Sequence, residues 1–218
     1  AMFIGGESIE KAQQQVKKIR QLAVEQGRHA EDIKIFVGIT VVTAETDALA
    51  EQKFVEYRRY ASPEAGLAHF SSSVGIDLSQ YQEDQVIPYQ QTNSIASVNQ
   101  RFKEKKITIK DLKDQHALGG RYPIFIGSGE AVAQQLIEYM DQTGIDGFNL
   151  TRTVAPESHE DFIRYVIPQL QQRGRYKTAY QDGSLRHKLT AQGDRLPTRH
   201  PVAKFRCLSS TSINQQSA

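Results

Sequence analysis

Between Ile33 and Thr43 the chain carries Ile35, Phe36, Val37, Ile39, Val41 and Val42 with almost no polar interruption, and most of these side chains are β-branched. Such a run suits a strand buried on both faces, as in a parallel sheet covered by helices. The flanking sequence agrees. Phe3-Ile4 reads as a shorter strand and Gly5-Gly6 as a turn. Ser8 then caps a helix whose apolar positions Ile9, Ala12, Val16, Ile19 and Ala23 share one face before Gly27 ends it. Thr46 starts a second helix with Ala50, Phe54 and Tyr57 aligned.

Ile124-Phe125-Ile126 leads through Gly127-Ser128-Gly129 into a helix bearing Val132, Leu136, Tyr139 and Met140, closed by Gly144. Ile145 to Leu150 is the next strand. Ser158 with Asp161 resembles a capping box, opening a helix with Phe162, Val166 and Leu170 that is bent or stopped near Pro168 and ended by Gly174. Strands alternating with amphipathic helices imply βα units, hence an α/β fold around a parallel sheet. Only about three strands are firm, so such a piece is expected to be poorly buried and prone to self-association.

Residues 62–122 break the rhythm with Ser71-Ser72-Ser73, scattered Gln and Asn, and short apolar pieces at Leu67 to Phe70 and Ile107 to Leu112. They read as an insertion of short helices and loops. After about residue 190 the chain turns polar, as an extended tail would. Its opening, Ala1-Met2-Phe3-Ile4-Gly5-Gly6, lies directly inside an apolar run, a pattern that predicts further sequence upstream.

Several function classes are disfavoured. Lys plus Arg number 27 against 25 Asp plus Glu, a net charge of +2, without long runs of one sign. The most basic stretch, Arg101, Lys103, Lys105 and Lys106, is interrupted by Glu104 and lacks interleaved aromatics, so no nucleic-acid partner is expected. Cys207 has no partner for a disulfide, which suits a reducing, cytoplasmic setting. No apolar run approaches the roughly 18 residues of a membrane span. The six histidines stand singly, without metal-ligand spacing, and His69 reads as a packing residue.

Gly127-x-Gly129-x-x-Val132, with Asp146 further on, is a weak match to a dinucleotide fingerprint, since the third glycine is missing. An anion at that helix N-terminus is the residual possibility. No Gly-x-Ser-x-Gly elbow is present, and Asp182, Ser184 and His187 read as a helix cap with a solvated face. If the strands belong to a barrel, the positions to watch are the C-terminal strand ends: Gly5 and Gly6, Thr40 to Thr43, and Leu150 to Thr153. Arg152 there is either an anchor for an anionic substrate or a surface ion-pair residue.

Longer motifs add a resemblance. Gly119-Gly120-Arg121-Tyr122-Pro123-Ile124-Phe125-Ile126-Gly127-Ser128, then Asp146-Gly147-Phe148-Asn149-Leu150, then Asp161-Phe162 with Val166 through Gly174, then Tyr180 with Ser184-Leu185-Arg186 and Leu189 follow in a fixed order. Upstream stand Gly75-Ile76-Asp77-Leu78-Ser79 and Tyr81. This series resembles the C-terminal half of FMN-dependent monooxygenases of the nitrilotriacetate and dibenzothiophene sulfone monooxygenase group, within the bacterial luciferase-like class. The resemblance implies a partial TIM (β/α)8 barrel with Phe3-Ile4 as the sixth strand, Ile35 to Val42 as the seventh and Ile145 to Leu150 as the eighth. It also implies an insertion after the seventh strand, a barrel portion over residues 1–190, and a polar C-terminal tail over 191–218 with helical character at its start.

The same resemblance implies reduced FMN delivered by a separate NAD(P)H-dependent flavin reductase, reaction with O2, and oxygenation of a small organic substrate. Aminopolycarboxylates, organosulfur compounds and related xenobiotics are the classes it suggests, and a homo-oligomer is expected of the full-length enzyme. FMN-holding residues in the family come mostly from the first five strands and the loop after the fifth, upstream of these residues. No catalytic residue is therefore assigned. The substrate-pocket candidates are Phe3 and Gly5 on the sixth strand, Ser73 and Asp77 at the entrance, and Arg152. Gly129 stands where the family usually has Pro, and no Trp precedes Gly75-Ile76-Asp77, which leaves the substrate open. The alternatives are a catalytically inert truncated barrel or partner subunit and, on the same barrel, a deazaflavin-dependent oxidoreductase.

Overall fold

The structure, a computed structural model, describes residues 1–6, 8–90, 102–103, 105–118 and 122–205. Gly119, Gly120, Arg121, Arg101, Glu104 and Cys207 lie outside the described residues. In chain order the elements are β1 (Met2–Ile4), α1 (Ile9–Glu25), β2 (Ile35–Ala44), α2 (Asp47–Tyr60), α3 (Pro63–Val74), α4 (Ile109–His116), β3 (Ile124–Ser128), α5 (Gly129–Thr143), β4 (Gly147–Thr151), α6 (Glu157–Asp161), α7 (Ile167–Gln172) and α8 (Leu185–Thr190). Side-chain hydroxyls at Ser8, Thr46, Ser62, Thr108, Ser128 and Ser184 cap α1, α2, α3, α4, α5 and α8, each accepting a backbone N–H three residues on.

All strand pairs are parallel, and β2 is the hub. Backbone hydrogen bonds fix its two edges. Met2 N–H donates to the Lys34 carbonyl and Thr40 N–H donates to the Pro123 carbonyl, whereas Asp146 N–H donates to the Ile35 carbonyl. Peptide groups alternate sides along a strand. β1 and β3 therefore share one edge of β2, end to end, with β4 on the other. The long apolar run thus supports one more strand than the sequence made firm, because β3 pairs where β1 stops.

Alternation also separates the faces. Ile35, Val37, Ile39 and Val41 pack with Val132, Ala133, Leu136 and Tyr139 of α5, with Ala12 and Val16 of α1, and with Val166 and Leu170. Phe36, Gly38, Thr40 and Val42 occupy the opposite face, in register with Phe3, Ile124, Ile126, Gly147, Asn149 and Thr151. That second face is closed at Thr40 and Val42 but open lower down, where Phe3 is 67% exposed.

The insertion has a core of its own. Leu67, Phe70, Val74, Ile76, Leu78, Ile87, Ile107, Ile109 and Leu112 bury one another between α3 and α4, as the expected short helices and loops.

Three local expectations are corrected. Ser158 does not open its helix: α6 begins at Glu157, and the Ser158 hydroxyl instead accepts the N–H groups of Thr153 at 3.3 Å and Val154 at 3.0 Å. Pro168 neither stops nor ends the helical stretch, because a π-turn over Phe162–Val166 joins α6 to α7. Finally, the segment after residue 190 is not extended as far as it is described, for Gln192 and Arg199 both donate to Asp32 Oδ1, at 2.8 and 2.9 Å. Burial opposes the Asp32 charge, but these hydrogen bonds outweigh it and hold its carboxyl well below the usual range.

Candidate functional site

Parallel βα sheets place binding sites at the C-terminal ends of their strands, where loops converge. A cavity of about 500 Å³ lies beyond the end of β4. Its walls come from three places: Lys53, Glu56, Tyr57 and Tyr60 on α2 with Ala61 at its end, Ala117 and Leu118 of the insertion, and Thr153, Val154 and Glu157 after β4. Three of these polar groups, Lys53, Tyr57 and Glu157, are already interlocked with Asp161 behind them. Tyr57 donates its hydroxyl to Glu157 Oε2 at 2.5 Å, and Lys53 Nζ lies 3.2 Å from Glu157 Oε1 while also bonding Asp161.

The electrostatics follow. Burial and the bond to Glu157 push the Tyr57 phenol far up, so it stays a donor. Tyr57 and Lys53 together hold the Glu157 carboxyl down against its burial. Burial opposes the Lys53 charge, but Asp161 and Glu157 overcome it and raise the amine. The buried Thr153 Oγ1 and Thr43 Oγ1, the latter at the end of β2, have no hydrogen-bond partner among the described residues.

The open sheet face adds aromatic groups. Phe3 and Phe36 stand 5.7 Å apart between ring centroids. Gly38 makes room for Tyr122, since a Cβ at residue 38 would lie 2.4 Å from its ring. The hydroxyls of Thr40 and Thr151 are 2.7 Å apart, and Thr151 donates to the Ile39 carbonyl at 2.9 Å. Thr151 has one proton to give, so Thr40 is the donor of that pair.

The sequence candidates are dispersed. Phe3 lies on the open face and Gly5 is exposed just past β1, with nothing within 4 Å of a Cβ built there. Ser73 donates to the His69 carbonyl at 3.1 Å, and Asp77 accepts Ser79 N–H at 3.1 Å and Gln80 Nε2 at 2.9 Å, so both serve local turns of the insertion. Arg152 is exposed beside the cavity without lining it. The residues that do meet there, Lys53, Tyr57 and Glu157, carried one sequence signal: Lys53 with Tyr57, and Glu157 with Asp161, are four apart and share helix faces.

The dinucleotide reading is overturned. Asp47 Oδ1 accepts Ser128 N–H at 2.6 Å, where a phosphate would have to sit, and Glu45 and Glu130 stand alongside. Asp146 lies at the other end of the sheet, bonded to Ile35 N–H and Lys34 Nζ. His116, the last residue of α4, is buried, its ring 4.3 Å from that of Phe70. Among the described residues no group of His, Cys, Asp or Glu is arranged to hold a metal, and no helix is long and apolar enough to cross a membrane.

A parallel α/β sheet with a cavity at its strand ends defines the class as that of the βα-sheet ligand-binding proteins, enzymes above all. The family described as luciferase-like monooxygenase matches residues 1–147, and the chain belongs to it. It is 38% identical over 210 residues to the dimethyl-sulfide monooxygenase of Hyphomicrobium sulfonivorans, covering 94% of this chain and 44% of that protein. The crystal structure of DmoA from the same organism superposes with a TM-score of 0.81 over 94% of this chain and 44% of its own, at 38% identity. A riboflavin lyase solved with modified FMN and riboflavin superposes at 0.85, with 34% identity over 94% of this chain and 46% of its own. Nitrilotriacetate and dibenzothiophene-sulfone monooxygenases, the group its motifs resemble, are also relatives. The chain spans less than half the length of these proteins.

Proposed function

We propose that the chain builds the substrate side of a two-component flavin-dependent monooxygenase that uses reduced FMN and O2. In this reading β1, β2 and β4 are strands six, seven and eight of a TIM (β/α)8 barrel, residues 62–122 are an insertion after the seventh, and the barrel portion ends near residue 190. The observation that carries it is the sheet face turned away from the helices, bearing Phe3, Phe36, Tyr122 and the Thr40–Thr151 pair, next to a cavity at the strand ends.

The residues fit one part of FMN only. Phe3, Phe36 and Tyr122 suit the edge of a flat ring system. The helix N-termini of α2 and α5 do not suit its phosphate, because Glu45, Asp47 and Glu130 put carboxylates there. Bound reduced FMN would supply the electrons that activate O2. The part left to this chain is to wall the substrate cavity and keep water from it.

Phe3 and Gly5 then flank the flavin pocket, Ser73 and Asp77 lie towards its entrance, and Arg152 stands at its rim. The partners are a separate NAD(P)H-dependent flavin reductase, further copies of the protein in a homo-oligomer, and a small organic substrate, in a cytoplasmic setting. An organosulfur substrate is favoured over an aminopolycarboxylate by the dimethyl-sulfide monooxygenase relative. The test is an anaerobic titration with reduced FMN followed by admission of O2 and dimethyl sulfide. Saturable flavin binding with loss of the sulfide is the expected result for the full-length enzyme, and little flavin binding with no loss of sulfide for residues 1–218 alone; absence of flavin binding by the full-length enzyme would overturn the proposal.

A further inference from the structure

Among its lining residues the cavity beyond β4 has one cation, Lys53, and that charge is committed to Glu157 and Asp161. Glu56 lines the wall as well and makes no ion pair among the described residues. One positive charge thus faces three negative ones. Tyr57, the remaining strong donor, gives its proton to Glu157 rather than to the cavity. The rest of the lining is Ala61, Ala117, Leu118 and Val154, the largely exposed Tyr60, and Thr153, whose hydroxyl oxygen is buried away from the cavity.

From this we infer that the cavity selects substrates by charge, admitting uncharged or cationic small molecules and rejecting carboxylates. The inference rests on the monooxygenase reading for the word substrate, but its physical content is a binding preference. An anion entering here would be desolvated with no uncommitted cation in the lining to meet it, Arg152 lying outside the wall, and beside Glu157, which cannot move away without breaking the Lys53 and Tyr57 contacts. A hydroxyl or thioether carries no such penalty.

The experiment uses ligand-observed NMR on the protein with reduced FMN, without oxygen, and three probes of similar size: 2-(methylthio)ethanol, 2-(methylthio)ethylamine and (methylthio)acetate. The acetate is expected to bind about tenfold more weakly than the alcohol or worse, the scale of one unscreened like charge near a protein surface, while the ammonium binds at least as well as the alcohol. Glu56→Gln should narrow the gap between alcohol and acetate. Glu157→Gln, which also leaves Lys53 with Asp161 as its one carboxylate, should narrow it further. Equal or tighter binding of the acetate, a gap unmoved by both variants, or no binding of any probe would each overturn the inference. Turnover on admitting O2 is read separately: the expected charge order without turnover would keep the selectivity and remove the monooxygenase reading.

Discussion

The carboxylate of Asp47 accepts the backbone N–H of Ser128 at 2.6 Å, joining the first turn of α2 to the first turn of α5 across the ends of β2 and β3. The Ser128 N–H holds that carboxyl below the usual range, with the Ser128 side chain adding to it. A depressed carboxyl contributes stability that is present above its unfolded value of about 3.9 and fades as pH falls through the folded one. Asp47→Ala should therefore lower the melting temperature at pH 7, and the difference from the parent should shrink below about pH 3. Thermal unfolding at the two pH values checks this; a pH-independent difference would mean the contact acts through packing alone.

Gly129 lies where the backbone of Tyr165 crosses the start of α5, and a Cβ there would sit 2.0 Å from the Tyr165 carbonyl oxygen. Backbone cannot give way as a side chain end does. Gly129→Ala should cost about 1–3 kcal/mol in urea unfolding. Gly5→Ala, with nothing within 4 Å, should stay within about 0.5 kcal/mol of the parent. Similar values for the two would show that α5 and the π-turn shift apart freely.

Sequence pattern carried the scaffold further than the site. The β-branched run at β2 and the helix starts at Ser8 and Thr46 are local signals, and each acts within three or four residues of itself. Ser158 shows the limit: a serine that caps a helix and one that ties down the loop before it look alike in sequence, and only the position of Thr153 and Val154 decides. The cavity is harder still. Lys53 with Tyr57 and Glu157 with Asp161 are visible as two helix faces, yet their meeting spans about a hundred residues and depends on how the helices after β2 and β4 lie side by side. Asp47 and Ser128, 81 positions apart, are the same case.

The insertion's separate core predicts a separable response. Leu112 is 1% exposed among Phe70, Val74 and Ile109. Leu112→Ala should cost about 2–5 kcal/mol where it acts. Hydrogen exchange should rise across α3 and α4 and stay unchanged in β2 and α5, which draw on the other core. Faster exchange throughout would mean that the two cores unfold as one unit.

Tyr57 offers the most direct reading of the cavity's charge cluster. Its phenol is pushed up by burial first, then by its bond to Glu157 and the charges of Glu157 and Asp161. A tyrosine raised above its unfolded value of about 10 contributes stability that is whole below that pH and is lost as pH climbs toward the folded value. In an ultraviolet titration Tyr57 should therefore ionise late, in a phase that Tyr139, raised by burial alone, also joins, and Tyr57→Phe should remove one tyrosine from it. Glu157→Gln removes the acceptor's charge but keeps an oxygen for the hydrogen bond, so the late phase should move down without vanishing, because burial remains. Lys53→Met should move it the other way, since Glu157 and Asp161 would then face Tyr57 without their cation. A late phase indifferent to both substitutions would mean that burial alone sets it, and that the Lys53–Glu157–Tyr57 contacts do not hold in solution.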